Sequence, residues 1–291
     1  MSLPIFTTPS QLGDYLQSYG STSLAEPPLC GIGFVPTMGA LHLGHQSLID
    51  RARQENTLVI VSVFVNPLQF GANEDLDRYP RQLEIDRAIC EAAGVDALFV
   101  PSPESMGIND TLTQVIPPPL MLSGLCGRTR TGHFQGVATI VVKLLNIVQP
   151  DRAYFGEKDA QQLAIIRRIV THLNIPVDIV GCPTVRAESG LALSSRNQYL
   201  SPTGRSQAAV IYRSLQQART LATAGEIDPE SILAAVKRAL ATVPEFQLEY
   251  LELVDRHTLQ SIHTIDRSAL IAIAGRLENT RLIDNIVIFN K

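Results

Sequence analysis

The sequence predicts an α/β fold in two parts, a parallel sheet with helical crossovers over residues 1–186 and a smaller α+β domain over 187–291. Three observations predict it. Up to about residue 185, short apolar β-branched runs alternate with helix-period segments, the grammar of successive βαβ units. One of those runs, residues 58–65 (LVIVSVFV), is apolar almost without a break, as in a strand covered on both faces. After residue 186 the order changes to helices and then strands, with no alternation. A chain of 291 residues has room for both parts, at roughly 100–200 residues per domain.

The elements follow in order. Residues 31–35 (GIGFV) give a first strand, and a helix begins near Gly44 with Leu48, Ile49 and Ala52 on one face. The run 58–65 is the second strand. A helix over 81–93 stops at Gly94, and residues 95–100 form a third strand closed by Pro101. The Pro-rich piece 116–120 (IPPPL) is expected to be a stiff surface connection. Val137, Ile140, Val141, Leu144, Leu145 and Val148 fit the i, i+3, i+4, i+7 template of an amphipathic helix. A strand at 152–155, a helix over 158–173 that ends before Pro176, and a strand at 177–185 complete the series, which calls for right-handed crossovers. Beyond the boundary, a helix over 202–223 carries Ile211, Leu215, Ala218 and Ala222 in one stripe. Asp228-Pro229 reads as the N-cap and first-turn proline of another helix. Runs at 246–254, 268–274 and 282–289 are strands.

Composition excludes several classes. Twenty-eight acidic residues against twenty-four basic ones give a net charge of -4, which argues against a general nucleic-acid binder. With 45% apolar and 18% charged residues the chain is globular rather than disordered. No Lys or Arg precedes Arg51, so neither a secretory signal nor an Arg-rich transit peptide is expected. The densest apolar stretch, 137–148, is interrupted by Lys143 and Asn146 and falls short of the ~18 residues a membrane span needs. Cys30, Cys90, Cys126 and Cys182 show no C-x-x-C or framework spacing and are expected to be reduced, packed thiols of a cytosolic protein. The basic set is lopsided: its only lysines are Lys143, Lys158, Lys237 and Lys291.

Chemistry concentrates in a few segments. Residues 35–45 (VPTMGALHLGH) leave a strand, turn through glycines and put His42 and His45 at the mouth of a helix. The spacing of Gly39 and Gly44 is Walker-like, but His45-Gln46 replaces the Lys-Ser/Thr that would make it a P-loop. Free backbone N–H groups and the helix dipole make such a turn an anion site, and imidazoles there can donate to phosphate oxygens. The other readings are a capping histidine with a core histidine, or two metal ligands; no His/Cys cluster supplies the remaining ligands zinc would want. The segment 154–162 (YFGEKDAQQ) places the rare Lys158 just beyond a strand end, where open parallel sheets bind ligands. Residues 191–197 (LALSSRN) offer two hydroxyls and a guanidinium suited to a polyphosphate leaving group. Gln69, in FVNPLQFG, can bind a hydroxyl or carboxylate or can be solvated. Arg128, Arg130 and His133, in 127–134, fit an anion-binding edge and a solvated turn equally well.

Together these segments resemble the pantothenate synthetase (pantoate–β-alanine ligase) family. The resemblance rests on PTMGALHxGH at 36–45, VNPxQF at 65–70, YPR at 79–81, HFxGV at 133–137, FGEKDxQQ at 155–162 and SSRN at 194–197, and runs essentially the full chain. It implies a Rossmann-like sheet of the class I synthetase/nucleotidyltransferase type with a lid-like C-terminal domain. It also implies a reaction: ATP and pantoate form pantoyl adenylate and pyrophosphate, and β-alanine then displaces AMP to give pantothenate. In this resemblance His42 and His45 contact ATP phosphates, with His45 the proton donor. Lys158, Ser194, Ser195 and Arg196 clamp the phosphates, and Met38, Gly39, Gly156, Glu157, Asp159, Val185 and Leu193 line the nucleotide site. Gln69 and Gln162 bind pantoate, whose methyl groups meet Pro36, Phe64, Ile140, Val141, Leu144 and Phe155. Magnesium sits on the ATP phosphates with Asp86 as the protein-side ligand, Arg130 and His133 stand at the substrate edge, and the enzyme is a cytosolic homodimer without nucleic-acid or membrane partners.

Departures from the family pattern are few: Leu43 where many relatives have glutamate, Leu193 where Met is frequent, and Ala187 and Ser189 where acidic residues are common. Some relatives fuse this ligase to a nucleoside-monophosphate kinase, but no Walker A motif occurs in these residues. The competing readings are an adenylyltransferase acting on a phosphorylated cofactor precursor, which would call for more cations, and a non-catalytic nucleotide- or metal-binding module, which would need neither Lys158 nor Arg196.

Overall fold

The structure, a computed structural model, describes residues 2–20, 30–72 and 74–288. Phe289 and Lys291, named above, lie outside the described residues, as does the side chain of Cys30. Packing divides the chain into two compact units. The first comprises Met1–Pro117, Thr131–Glu157 and Ile165–Pro183; the second comprises Pro118–Arg130, Lys158–Ala164 and Thr184–Lys291. This differs from a single cut at residue 186, because two short internal pieces pack with the C-terminal residues. Lys158 and Gln162 therefore fall in the second unit.

The chain begins with β1 (Ile5–Phe6) and α1 (Pro9–Gly20), two elements beyond those expected above, the helix starting at a capping box in which Gln11 N–H donates to Thr8 Oγ1 and Thr8 N–H to Gln11 Oε1. It continues through β2 (Cys30–Thr37), α2 (Leu43–Glu55), β3 (Asn56–Val63), α3 (Leu83–Ala92), β4 (Ala97–Phe99), α4 (Leu125–Thr129), α5 (His133–Val148), β5 (Arg152–Gly156), α6 (Ala160–His172) and β6 (Asp178–Cys182). The six strands make one sheet in the order β1-β4-β3-β2-β5-β6, every pair parallel. β3 is buried along nearly its whole length, as its unbroken apolar run requires of a central parallel strand. The faces expected from periodicity are the buried ones: Leu48, Ile49 and Ala52 on α2, and Val137, Ile140, Leu144, Leu145 and Val148 on α5. Burial pushes the thiol of Cys90 up to about 12 and that of Cys182 to about 11, so both behave as packed apolar groups.

The second unit holds α7 (Pro202–Thr223), α8 (Pro229–Leu240) and an antiparallel sheet of β7 (Gln247–Asp255), β8 (Ala269–Leu277) and β9 (Thr280–Ile288). Both helices start as their sequences dictate. Ser201 accepts from Gly204 N–H ahead of Pro202, and Asp228 accepts from Glu230 and Ser231 N–H ahead of Pro229. The α7 stripe Ile211, Leu215, Ala218 and Ala222 is buried in a core shared with α8 and the sheet. The central strand β8 is buried almost throughout, whereas the edge strand β9 alternates buried and half-buried residues. No described helix is long and apolar enough to cross a membrane.

Candidate active site

From β2 the chain builds β3 and β4 to one side of the sheet, then returns to add β5 and β6 on the other. Neighbours β2 and β5 thus flank the point where strand order reverses, and ligands of open α/β sheets bind outside the carboxyl ends of strands at such a point. β2 ends at Thr37 and β5 at Gly156. A Cβ built on Gly156 would meet nothing within 4 Å, so this strand end leaves space for a ligand.

The turn after β2 is fixed by backbone hydrogen bonds. The Thr37 hydroxyl donates to the Ser62 carbonyl at 2.7 Å and accepts from Gly39 N–H at 3.1 Å. Gly39 and then Ala40 adopt left-handed backbone, at φ 79° and 51°. Glycine is required at the first on two counts, since a Cβ there would also lie 2.9 Å from both Asp86 Oδ2 and Val63 Cγ1. Asp86, on α3, holds the turn: Oδ2 accepts from Ala40 N–H at 2.9 Å and Oδ1 from Leu41 N–H at 2.7 Å. The residue is only 1% exposed. Beside its expected role as a magnesium ligand, Asp86 thus has a structural one: both carboxylate oxygens accept from the loop backbone.

The turn delivers His42 to the N-cap of α2, with extended backbone at φ -142°. Its Nδ1 accepts from Gly44 N–H at 3.1 Å, and its ring also accepts from the N–H of His45. In return His45 Nδ1 accepts from His42 N–H at 3.3 Å. This is a capping box with imidazoles at both positions, usually held by Ser/Thr and Glu/Gln. The alternative of a capping role for His42 is thus real, but it does not compete with chemistry. A ring whose Nδ1 accepts a backbone N–H carries the proton of its neutral form on Nε2, so each histidine is an Nε2–H donor. The two ring centroids are 4.1 Å apart and tilted by 41°.

The first unit also builds the surroundings of Gln69, at the end of a short 3-10 turn, Pro67–Gln69. Asn66 caps that turn by accepting from Leu68 N–H, and its amide donates to Gln69 Oε1 and to the Gly136 carbonyl, each at 3.1 Å. Gln69 Nε2 reaches Met38 Sδ at 2.8 Å. His133 Nδ1 lies 2.8 Å from the Gln69 carbonyl, so this histidine supports the glutamine loop. Gly136 lets α5 approach that loop, because a Cβ there would fall 2.2 Å from the Leu68 carbonyl oxygen. Of the expected apolar wall, Phe64, Ile140, Leu144 and Phe155 are buried, and Pro36 and Val141 are half-buried. Asn66, 2% exposed, is a support for the site that was not expected from the sequence, although Asn-Pro is itself a turn-initiating pair.

The remaining expected residues lie in the second unit, apart from Glu157, which closes a segment of the first. Lys158 occupies a 3-10 turn, Glu157–Asp159, with Nζ 4.0 Å from Asp159 Oδ2. Gln162 is half-buried in the first turn of α6. Its neighbour Gln161 is buried and donates to the carbonyls of Met121 and Gly124, which ties the internal piece 118–130 to this unit. Val185 and Leu193 face each other across a hairpin, Leu193 N–H donating to Val185 O at 3.0 Å. Ser194 then caps the 3-10 turn Ser195–Tyr199, accepting from Arg196 N–H at 3.3 Å. Arg128 forms an ion pair with Glu252 at 2.6 Å, a structural contact within this unit, and Arg130 follows α4 as its C-cap.

Among the described residues no group of three or more His, Cys, Asp or Glu side chains could enclose a metal ion. With Asp86 engaged by the turn, the described residues offer no cage of their own for magnesium, which usually keeps several waters and rides on substrate phosphates.

Comparisons with known proteins identify the family. The family model for pantoate-beta-alanine ligase matches residues 5–287. The bifunctional pantoate ligase/cytidylate kinase of Trichormus variabilis is 59% identical over 263 residues, 88% of this chain and 49% of its own length. The corresponding protein of Trichodesmium erythraeum is 50% identical over 298 residues, 99% of this chain and 56% of its own length. The chain therefore spans about half the length of the curated relatives it matches. Among solved structures, pantothenate synthetase from Thermus thermophilus superposes with a TM-score of 0.89 at 48% identity, covering 98% of this chain and 99% of that one. The Francisella tularensis pantoate-beta-alanine ligase, complexed with beta-gamma ATP and beta-alanine, gives a TM-score of 0.78 at 36% identity over 98% of each chain. A six-stranded parallel sheet, a two-histidine helix mouth and a match along nearly every residue place the chain in one family: it belongs to the pantoate-beta-alanine ligases.

Proposed function

We propose that this chain joins pantoate to β-alanine in an ATP-dependent reaction that passes through pantoyl adenylate. The carboxylate of pantoate attacks the α-phosphorus of ATP, and the bond to the departing pyrophosphate breaks. The amine of β-alanine then attacks the acyl carbon, and AMP leaves with its bonding electrons. Neither step needs a protein nucleophile, so catalysis reduces to positioning and to stabilising charge on phosphate oxygens.

The observation that carries the reading is the reciprocal cap of His42 and His45 at a helix N-terminus, which occupies Nδ1 of each ring and leaves Nε2 as the proton-bearing nitrogen of the neutral imidazole. In this reading the two histidines donate to the phosphates, with His45 following the charge that develops in the adenylation step. Lys158, Ser194, Ser195 and Arg196 hold the departing pyrophosphate. Gln69 takes the hydroxyls or carboxylate of pantoate together with Gln162, and Asn66 and His133 keep Gln69 in place. Magnesium arrives on the nucleotide, and no protein carboxylate is assigned to it. A homodimer and a cytosolic location belong to the same proposal.

The experiment is exchange of labelled pyrophosphate into ATP with β-alanine omitted. Exchange that depends on pantoate is expected. Its absence in folded, magnesium-replete protein sinks the ligase reading, and exchange supported by a phosphorylated acceptor in place of pantoate redirects it to adenylyl transfer.

A further inference from the structure

We infer that Asn285, on the edge strand β9, is a positioning residue for Lys158; the inference rests on the reading that Lys158 acts on ATP phosphates. The two residues belong to the same unit although 127 positions separate them. Asn285 Nδ2 donates to the backbone carbonyl of Lys158 at 2.8 Å. Lys158 needs such a tether. It sits in a three-residue 3-10 turn, which has too few internal hydrogen bonds to set its own orientation. The other end of the tether is rigid, since β9 pairs with β8 from Thr280 through Ile288.

Asn285 is itself oriented by its neighbour. Its N–H donates to Asp284 Oδ1 at 2.8 Å, and that buried carboxylate takes both terminal nitrogens of Arg186, at 2.6 and 2.9 Å. Arg186 stands at the base of the hairpin that leads to Ser194, closed by an antiparallel bridge to Ala192. Its guanidinium also donates to the Gly190 carbonyl and lies 3.6 Å over the Tyr212 ring. Two adjacent residues of one strand thus grip the backbone of Lys158 and the base of the segment carrying Ser194, Ser195 and Arg196. Because Asn285 holds the carbonyl of residue 158 itself, most of the effect of its removal on the reaction should be lost once that residue carries no ammonium.

That condition defines the experiment: Asn285→Ala, Lys158→Ala and the double variant, read by pantoate-dependent exchange of pyrophosphate into ATP, by thermal unfolding, and by amide hydrogen exchange over 157–162. Asn285→Ala is expected to fold, to lower kcat for exchange by about tenfold to a hundredfold with KM for pantoate unchanged, and to raise hydrogen exchange in 157–162 several-fold. In the Lys158→Ala background it is expected to cost far less than in the parent, within about twofold. Additive losses, or unchanged hydrogen exchange in that segment, overturn the proposal. If Asn285→Ala does not fold, the near-isosteric Asn285→Leu takes its place, and failure of both assigns Asn285 to the fold and overturns the proposal. Exchange activity absent from the unaltered protein counts against the ligase reading, whereas hydrogen exchange still judges the tether.

Discussion

Replacing Asp86 by alanine separates two accounts of that carboxylate. Its oxygens accept from Ala40 and Leu41 N–H inside a site where Ala40 and Leu41 are 6% and 5% exposed. The variant leaves two buried donors without partners, at about 1–3 kcal/mol each, and removes bonds that are charge-assisted. Water entering the space left by the carboxylate recovers part of this, so a net loss of about 3–5 kcal/mol is expected. Ala40 also holds a left-handed conformation that costs a non-glycine residue about 1 kcal/mol and that relaxes once the anchor is gone. For a chain of this size each kcal/mol moves Tm by about 2–4 °C, which predicts a fall of roughly 6–20 °C. Because the turn sets the N-cap of α2, turnover in the pyrophosphate exchange assay should fall too, at an unchanged magnesium concentration for half-maximal rate. Asp86→Asn, which keeps one acceptor but sets an amide against the other N–H, should lie between. Calorimetry and a magnesium titration decide it. A Tm within about 2 °C of the parent, joined to a large shift in the magnesium midpoint, would refute the loop-anchor reasoning and restore Asp86 as a metal ligand.

Two further expectations concern the cap and the acid limb of stability. His42→Ser keeps an N-cap acceptor but removes the Nε2–H donor, so Tm should change by only a few degrees while kcat for exchange falls about 10²–10³-fold; near-parental turnover would show that the imidazole serves only the helix. Burial alone would raise the carboxyl of Glu249, but the guanidinium of Arg281, bonded to both its oxygens at 2.8 Å, holds it below the usual 4.5. A depressed folded value means that the unfolded chain binds the proton more tightly. The contribution is then fully present above about pH 4.5 and is lost as pH falls through the folded value. Glu249→Gln should therefore flatten the loss of Tm between about pH 5 and 3, and a parental slope there would contradict the assignment.

How far the sequence revealed this molecule depended on whether the governing interactions are local. Ser201-Pro202 and Asp228-Pro229 fix the starts of α7 and α8 within a single turn of chain, and Asp228-Pro229 was readable as a cap. The histidine cap spans positions 42–45 and was likewise visible as a motif. β1 contains two residues, too few to show a period, and it exists because β4 pairs with it. The grouping of 118–130 and 158–164 with the C-terminal residues was not readable, since it depends on contacts such as Gln161 to Met121 and Gly124, about 40 positions apart. The loop-anchoring bonds of Asp86 are hidden in the sequence for a related reason. A carboxylate near a phosphate motif suggests a metal ligand, and only the folded chain shows that its oxygens meet N–H groups 45 and 46 positions away.

The net charge of -4 poses a question that the cap answers in part. In the proposed reaction, a chain without a basic excess holds a polyanion through groups that are aimed rather than abundant. Serine, threonine or aspartate would cap α2 as well as histidine does. An aspartate there would repel phosphate, and a hydroxyl would spend its oxygen on the cap within reach of the helix itself. Imidazole divides the labour between two atoms, Nδ1 accepting for the fold and Nε2 keeping the proton of the neutral ring; Gly44 N–H sets that tautomer in His42 and His42 N–H sets it in His45. In the proposed reaction such rings, held by the fold before any ligand binds, are what electrostatic stabilisation of a developing phosphate charge requires. Asp86 extends the logic one layer outward, since its carboxylate accepts from two backbone N–H groups and so fixes the turn that leads into the histidine cap.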